Sequence, residues 1–164
     1  MIASMGTPWY ADTISAFLSS PIDSIIGQLS SAAEGPVERQ QITAWRGQTE
    51  ILKETVRRIA PTSPGVTAGT VLFEYPVPRM GARIDTVMLL PEAVIVIEFK
   101  VGERQFSRQA RDQVYDYALD LTNFHEPSHN VSVVPILVAT EAPERTAAVI
   151  TPQESSHRDG LFVP

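Results

Sequence analysis

Two apolar runs, 82–90 and 93–101, are separated only by Pro91-Glu92, and this spacing constrains the fold more than any other feature of the chain. Read as a two-residue hairpin loop, Pro91-Glu92 pairs Leu90 with Ala93. Counting back from that pair places Asp85 opposite Glu98 and Arg83 opposite Lys100. Residues so paired share a face of the sheet, with Cβ atoms roughly 5 Å apart. Two carboxylates in that relation repel each other and destabilise the sheet unless a cation sits between them. A pair of acids and a pair of bases at one strand end suggest a metal site built to handle phosphate.

The surrounding pattern predicts an α/β protein. Short helices are expected over 12–19 and from near Asp23 to before Gly35-Pro36, each stopped by a breaker. A longer helix is expected over 38–59, ended by Ala60-Pro61, with Trp45, Leu52, Val56 and Ile59 on its core stripe. A loop rich in Pro, Ser, Thr and Gly leads to strands over 70–77, 82–90 and 93–101. In the last of these, Val94-Ile95-Val96-Ile97 is apolar at every position, as expected of a central strand covered on both faces. A helix from Ser107, its N-cap, to Phe124 would bury Ala110, Val114, Tyr117, Ala118, Leu121 and Phe124. Strands over 131–139 and 147–150 complete the order helix, three strands, helix, strand, on a mixed sheet. The division expected is an N-terminal helical extension, 1–40, and a compact α/β unit, 41–164.

Composition excludes several classes. The chain has 164 residues, enough for one domain that buries roughly two-thirds of its unfolded surface. It has no cysteine, which rules out disulfides and fits the cytoplasm. No basic residue precedes Arg39, so a secretory signal is not expected, and the apolar run 93–97 is too short to span a bilayer. The apolar end Gly160-Leu161-Phe162-Val163-Pro164 is read as a sign of a longer protein. A net charge of −6 counts against a general nucleic-acid coat. Between Arg79 and Arg111, however, basic residues outnumber acidic ones, which leaves room for a local basic cleft.

Glu98 ends a strand that reads as buried, where an unpaired carboxylate costs several kcal/mol. The simplest account is an ion pair with Lys100 at the sheet rim; the fuller one includes Asp85 across the hairpin. Gln113 falls on the edge of the helical stripe one turn before Tyr117, and a glutamine aimed at the sheet needs a polar partner. Arg104, Arg108 and Arg111 are candidates for phosphate contact or, equally, a solvated helix face. His125 and His129 are set aside as a metal pair because Pro127 interrupts the helix between them. Trp9 and Tyr10 are read as core residues rather than base-stacking ones.

Asp85 followed by Glu98-Phe99-Lys100 resembles the signature of the PD-(D/E)XK phosphodiesterase superfamily, and Gln113 to Tyr117 is similar to the Q-x-x-x-Y motif of its RecB-like branch. The wording from Gly81 to His125 and through Val134 to Thr140 resembles the N-terminal nuclease-like region of bacterial Schlafen-like proteins, which continue into a helicase-type ATPase. The likeness covers 45–142. It departs at Ile84, which stands where the family name has proline.

The resemblance implies a restriction-endonuclease-like αβββαβ core and a divalent-metal-dependent nuclease. By it, Asp85 and Glu98 bind Mg²⁺ or Mn²⁺ with help from the Phe99 carbonyl, and Glu50 on the preceding helix is the candidate third ligand. Lys100 orients the attacking water, Gln113 braces the site, Tyr117 packs beneath it, and Arg83, Arg104, Arg108 and Arg111 meet nucleic acid. An attached helicase/ATPase region is the implied partner. Two rival expectations are a catalytically inactive module that recruits nucleic acid to such a motor, and a protein-interaction domain that binds neither metal nor nucleic acid.

Overall fold

The computed structural model describes residues 6–77, 81–124, 131–143 and 147–149. Its elements in order are β1 (Tyr10–Thr13), α1 (Ile14–Ser19), α2 (Ile22–Ala32), α3 (Arg39–Ile59), a 3₁₀ turn (Pro64–Ala68), β2 (Thr70–Pro76), β3 (Arg83–Leu89), β4 (Ala93–Lys100), α4 (Arg108–Phe124), β5 (Ser132–Ala139) and β6 (Ala147–Val149). His125, Pro127 and His129, together with Arg79 and the apolar stretch 160–164, lie outside the described residues.

The six strands form one sheet in sequence order, β1-β2-β3-β4-β5-β6. Neighbours are antiparallel except β4 and β5, which run parallel and are joined through α4. The hairpin forms in the register that a two-residue loop dictates. The Leu90 amide donates to the Ala93 carbonyl at 2.8 Å, and the rungs run from Leu89–Val94 to Thr86–Ile97.

Strand β1 is an addition to the expected order. Its four residues pair with β2, from Tyr10–Phe73 to Thr13–Thr70. The helix expected from Asp12 begins later: Thr13 ends the strand and caps α1, accepting the Ala16 amide at 3.1 Å through Oγ1. The N-terminal segment therefore supplies both a sheet edge and core residues.

Two apolar layers flank the sheet. On one face Phe17, Ile25, Leu29, Trp45 and Val56 from α1–α3 pack on Val71, Phe73, Met88, Ile97 and Phe99. On the other, Ala110, Val114, Tyr117, Ala118 and Leu121 from α4 pack on Leu72, Val87, Val94, Val96 and Leu137. Ser107 caps α4 as expected, its Oγ accepting the Ala110 amide at 3.2 Å. Ile59, expected in the core, is 40% exposed; as the last residue of α3, one turn beyond the buried Val56, it is not reached by the core. Lys53 is buried on α3, and its Nζ donates to the carbonyls of Phe17, Leu18 and Ser20 at the C-terminus of α1. That end is thereby satisfied and tied to the long helix. Among the described residues no helix is long and apolar enough to cross a membrane.

Candidate metal and phosphate site

The C-terminal end of β4 gathers the polar groups. In β4, Val94 and Val96 face α4 while Ile95, Ile97 and Phe99 face α1–α3, so Glu98 and Lys100 fall on the α4 side. Asp85, in phase with Val87 on β3, comes to the same side. The β3–β4 ladder stops at Thr86–Ile97, one rung short of Asp85 and Glu98. There the Asp85 side chain replaces the backbone: its Oδ2 accepts the Phe99 amide at 2.7 Å.

From Glu98 a chain of hydrogen bonds leads onto α4. Lys100 Nζ donates to Glu98 Oε1 at 2.9 Å and to Gln113 Oε1 at 3.0 Å. Gln113 Nε2 donates in turn to Tyr117 Oη at 2.8 Å. Gln113 and Tyr117 are one helical turn apart, and for that reason both reach the same strand end. The other Glu98 oxygen, Oε2, is buried with no hydrogen-bond partner, in a residue only 4% exposed.

Both carboxyls are shifted toward their neutral forms. Burial pushes the Asp85 carboxyl up to about 8, and the Glu98 charge adds to this; the Phe99 amide and Lys100 oppose it. Burial also raises Glu98, against its bond to Lys100 and the nearby Asp85 backbone amide. Burial thus disfavours the charged form of both carboxyls.

A cation fits this donor set in part. The oxygens are hard, one is unpartnered, and Mg²⁺ commonly takes one or two carboxylates while keeping waters or phosphate oxygens for its other positions. Among the described residues, no group of three or more His, Cys, Asp or Glu side chains converges in a metal-holding arrangement.

Two expected members are not brought to the acid pair. Glu50 is exposed and lines a groove of about 460 Å³ with Ile22, Lys53, Glu54, Arg57 and Arg58. The residues α3 buries are Trp45, Gln48, Thr49, Leu52, Lys53 and Val56, and Glu50 lies off that stripe. Arg83 does not stand beside Lys100. It pairs with Pro76 on β2, and its guanidinium lies 4.4 Å over the Trp9 ring on the α1–α3 side. The reason is a reversal of side-chain alternation at Asp85: Ile84 joins Val87 on the α4 face, which sends Arg83 to the other.

Of the remaining arginines, Arg108 lines a groove beside Gln113 and Tyr117. Arg104 comes within 4.0 Å of Glu141, and Arg108 within 3.9 Å of Asp112. Arg108, Gln109, Asp112, Gln113, Asp116 and Tyr117 line this open groove of about 570 Å³ along α4. Arg111 is half-buried on the same helix.

One residue escaped the sequence reading. Glu74, on β2, is buried and accepts the Trp45 indole N–H on Oε1 at 2.8 Å; its charge acts on both Asp85 and Glu98. Its only signal was an acid inside the apolar run Val71-Leu72-Phe73-Glu74-Tyr75.

Comparison with family models, curated proteins and solved structures gives no match. Fold and site thus define the class: an α/β protein whose mixed sheet carries a buried Glu98, a half-buried Asp85 and a lysine at the end of a central strand.

Proposed function

We propose that this protein is a divalent-metal-dependent phosphodiesterase acting on nucleic acid, with α3-β2-β3-β4-α4-β5 as a restriction-endonuclease-like core. The observation that carries the reading is the unpartnered Glu98 Oε2 beside Asp85, next to a lysine tied to both Glu98 and Gln113. A buried carboxylate oxygen with no donor is costly in a finished structure and reasonable in a site that awaits a cation.

In this reading Asp85, Glu98 and the Phe99 carbonyl hold Mg²⁺ or Mn²⁺. The ion would neutralise the scissile phosphate and acidify a water. Lys100 supplies a compact positive charge at the phosphate, and Gln113 keeps its ammonium directed there. Tyr117 fixes the Gln113 amide by accepting from Nε2, so the Oε1 end is left for the lysine. Arg108, on the groove, serves as a phosphate contact, with Arg104 and Arg111 as further candidates.

End-labelled single- and double-stranded DNA and RNA, incubated with the protein in Mg²⁺ or Mn²⁺, test the proposal. Cleavage is expected, with a loss of about 100-fold or more in Asp85→Ala and Lys100→Ala. Equal cleavage by both variants would refute it. The small donor set favours one rival, a binding module without catalysis. That module would shift labelled nucleic acid in a gel and cut none of it.

A further inference from the structure

Among the described residues Glu74 is the only non-glycine with a positive φ, 51°. Long side chains avoid that region unless their surroundings impose it. The β2–β3 register pairs Phe73 with Thr86 and Tyr75 with Ile84, and the rung between them, Glu74 with Asp85, is missing. Asp85 is therefore paired with neither neighbour, since its rung with Glu98 is missing too.

Alternation reverses at that rung on both strands. Leu72 and Val87 face α4, which should send Tyr75 and Ile84 the other way, yet these also pack on the α4 side. An unbroken ladder would set the Glu74 carboxylate directly across from Asp85, roughly 5 Å away by Cβ, as a third negative charge on the α4 face. Instead two contacts meet the kinked residue from the α3 side. Trp45 donates to Glu74 Oε1, and Arg83 Nη1 donates to the Glu74 carbonyl at 2.6 Å.

We propose that Glu74 is a positioning residue for Asp85: its left-handed backbone opens the sheet at a single rung, so the Asp85 carboxylate can turn to the Phe99 amide and face Glu98. The Asp85 carboxylate meets the Phe99 amide, next in sequence to Glu98, whose Oε2 is buried and unpartnered. What Asp85 is positioned for rests on the phosphodiesterase reading; the positioning itself does not.

Backbone and carboxylate can be separated by substitution. Glycine adopts a φ of 51° freely and lacks the carboxylate, whereas β-branched valine resists it. The test is the amide resonance and hydrogen exchange of Phe99 in the full chain, read without metal, with Mn²⁺ affinity by calorimetry alongside. Glu74→Gly is expected to keep the Phe99 amide shift and its protection, and Mn²⁺ affinity within about twofold. Glu74→Val is expected to lose the shift and protection, with Mn²⁺ binding weakened about tenfold or more. If Glu74→Val does not fold, Glu74→Thr makes the same demand on the backbone. Loss of the Phe99 signature in a folded Glu74→Gly, or its retention in a folded Glu74→Val or Glu74→Thr, would overturn the proposal. A wild type that ignores Mn²⁺ would count against the metal reading alone, because the amide signature still decides the role of Glu74.

Discussion

Replacing Asp85 with asparagine should stabilise the metal-free protein, and only above acidic pH. The asparagine side chain is not ionisable but can still accept the Phe99 amide, so Asp85→Asn removes the charge and keeps the bond. The unfolded carboxyl releases its proton near 3.8 and the folded one near 8, chiefly because burial and Glu98 disfavour its charge. Between those values the unfolded chain binds fewer protons than the folded one, so stability falls as pH rises. The contribution is whole below about pH 4, is lost progressively, and is gone above about pH 8. At about 1.4 kcal/mol per pH unit, the displacement sets a ceiling of roughly 6 kcal/mol. The proton is shared with Glu98, so the expected gain for Asp85→Asn at pH 8.5 is about 2–4 kcal/mol. In urea this moves the midpoint up by about 1–2 M. Denaturation followed by circular dichroism, in EDTA from pH 4 to pH 9, reads it directly. Wild type and variant should coincide near pH 4 and diverge as pH rises. Adding Mn²⁺ at pH 8.5 should restore the wild type and leave the variant unchanged. Parallel curves across the range would refute the argument, since they would mean that neither burial nor Glu98 disfavours the Asp85 charge in the folded state.

Lys53→Met should destabilise by about 2–4 kcal/mol, because the carbonyls at the end of α1 lose their buried donor; thermal unfolding would show it. Ile84→Ala, at a fully buried position facing α4, should cost about 2–5 kcal/mol, whereas Ile59→Ala at the exposed end of α3 should cost under about 0.5 kcal/mol. Equal midpoints for the two isoleucine variants would contradict the packing described.

The parts of the fold visible in sequence are those fixed by period and punctuation. Pro91-Glu92 set the hairpin register, the all-apolar 94–97 identified a central strand, and Ser107 marked the start of α4. Asp85, Glu98, Lys100, Gln113 and Tyr117 were legible as one group because strand alternation and helical spacing both converge on one strand end.

What was missed depends on departures from regular geometry. Counting by twos along β3 put Arg83 beside Lys100, but alternation reverses at the Glu74–Asp85 rung, and nothing local to Glu74 advertises a positive φ. Strand β1 is four residues long and abuts a helix, so its pairing with β2 is set by tertiary contact rather than by pattern. Glu50 was put forward by the family resemblance, while the buried face of α3, set by Trp45, Leu52 and Val56, leaves it off the stripe, as helical spacing indicates.

The most direct measurement is anomalous diffraction from a crystal soaked in Mn²⁺ near pH 8. The account requires a peak within about 2.5 Å of a carboxylate oxygen of both Asp85 and Glu98, with the Lys100 ammonium still held by Gln113. No peak there at millimolar Mn²⁺, or a peak bound to one carboxylate alone, would contradict it.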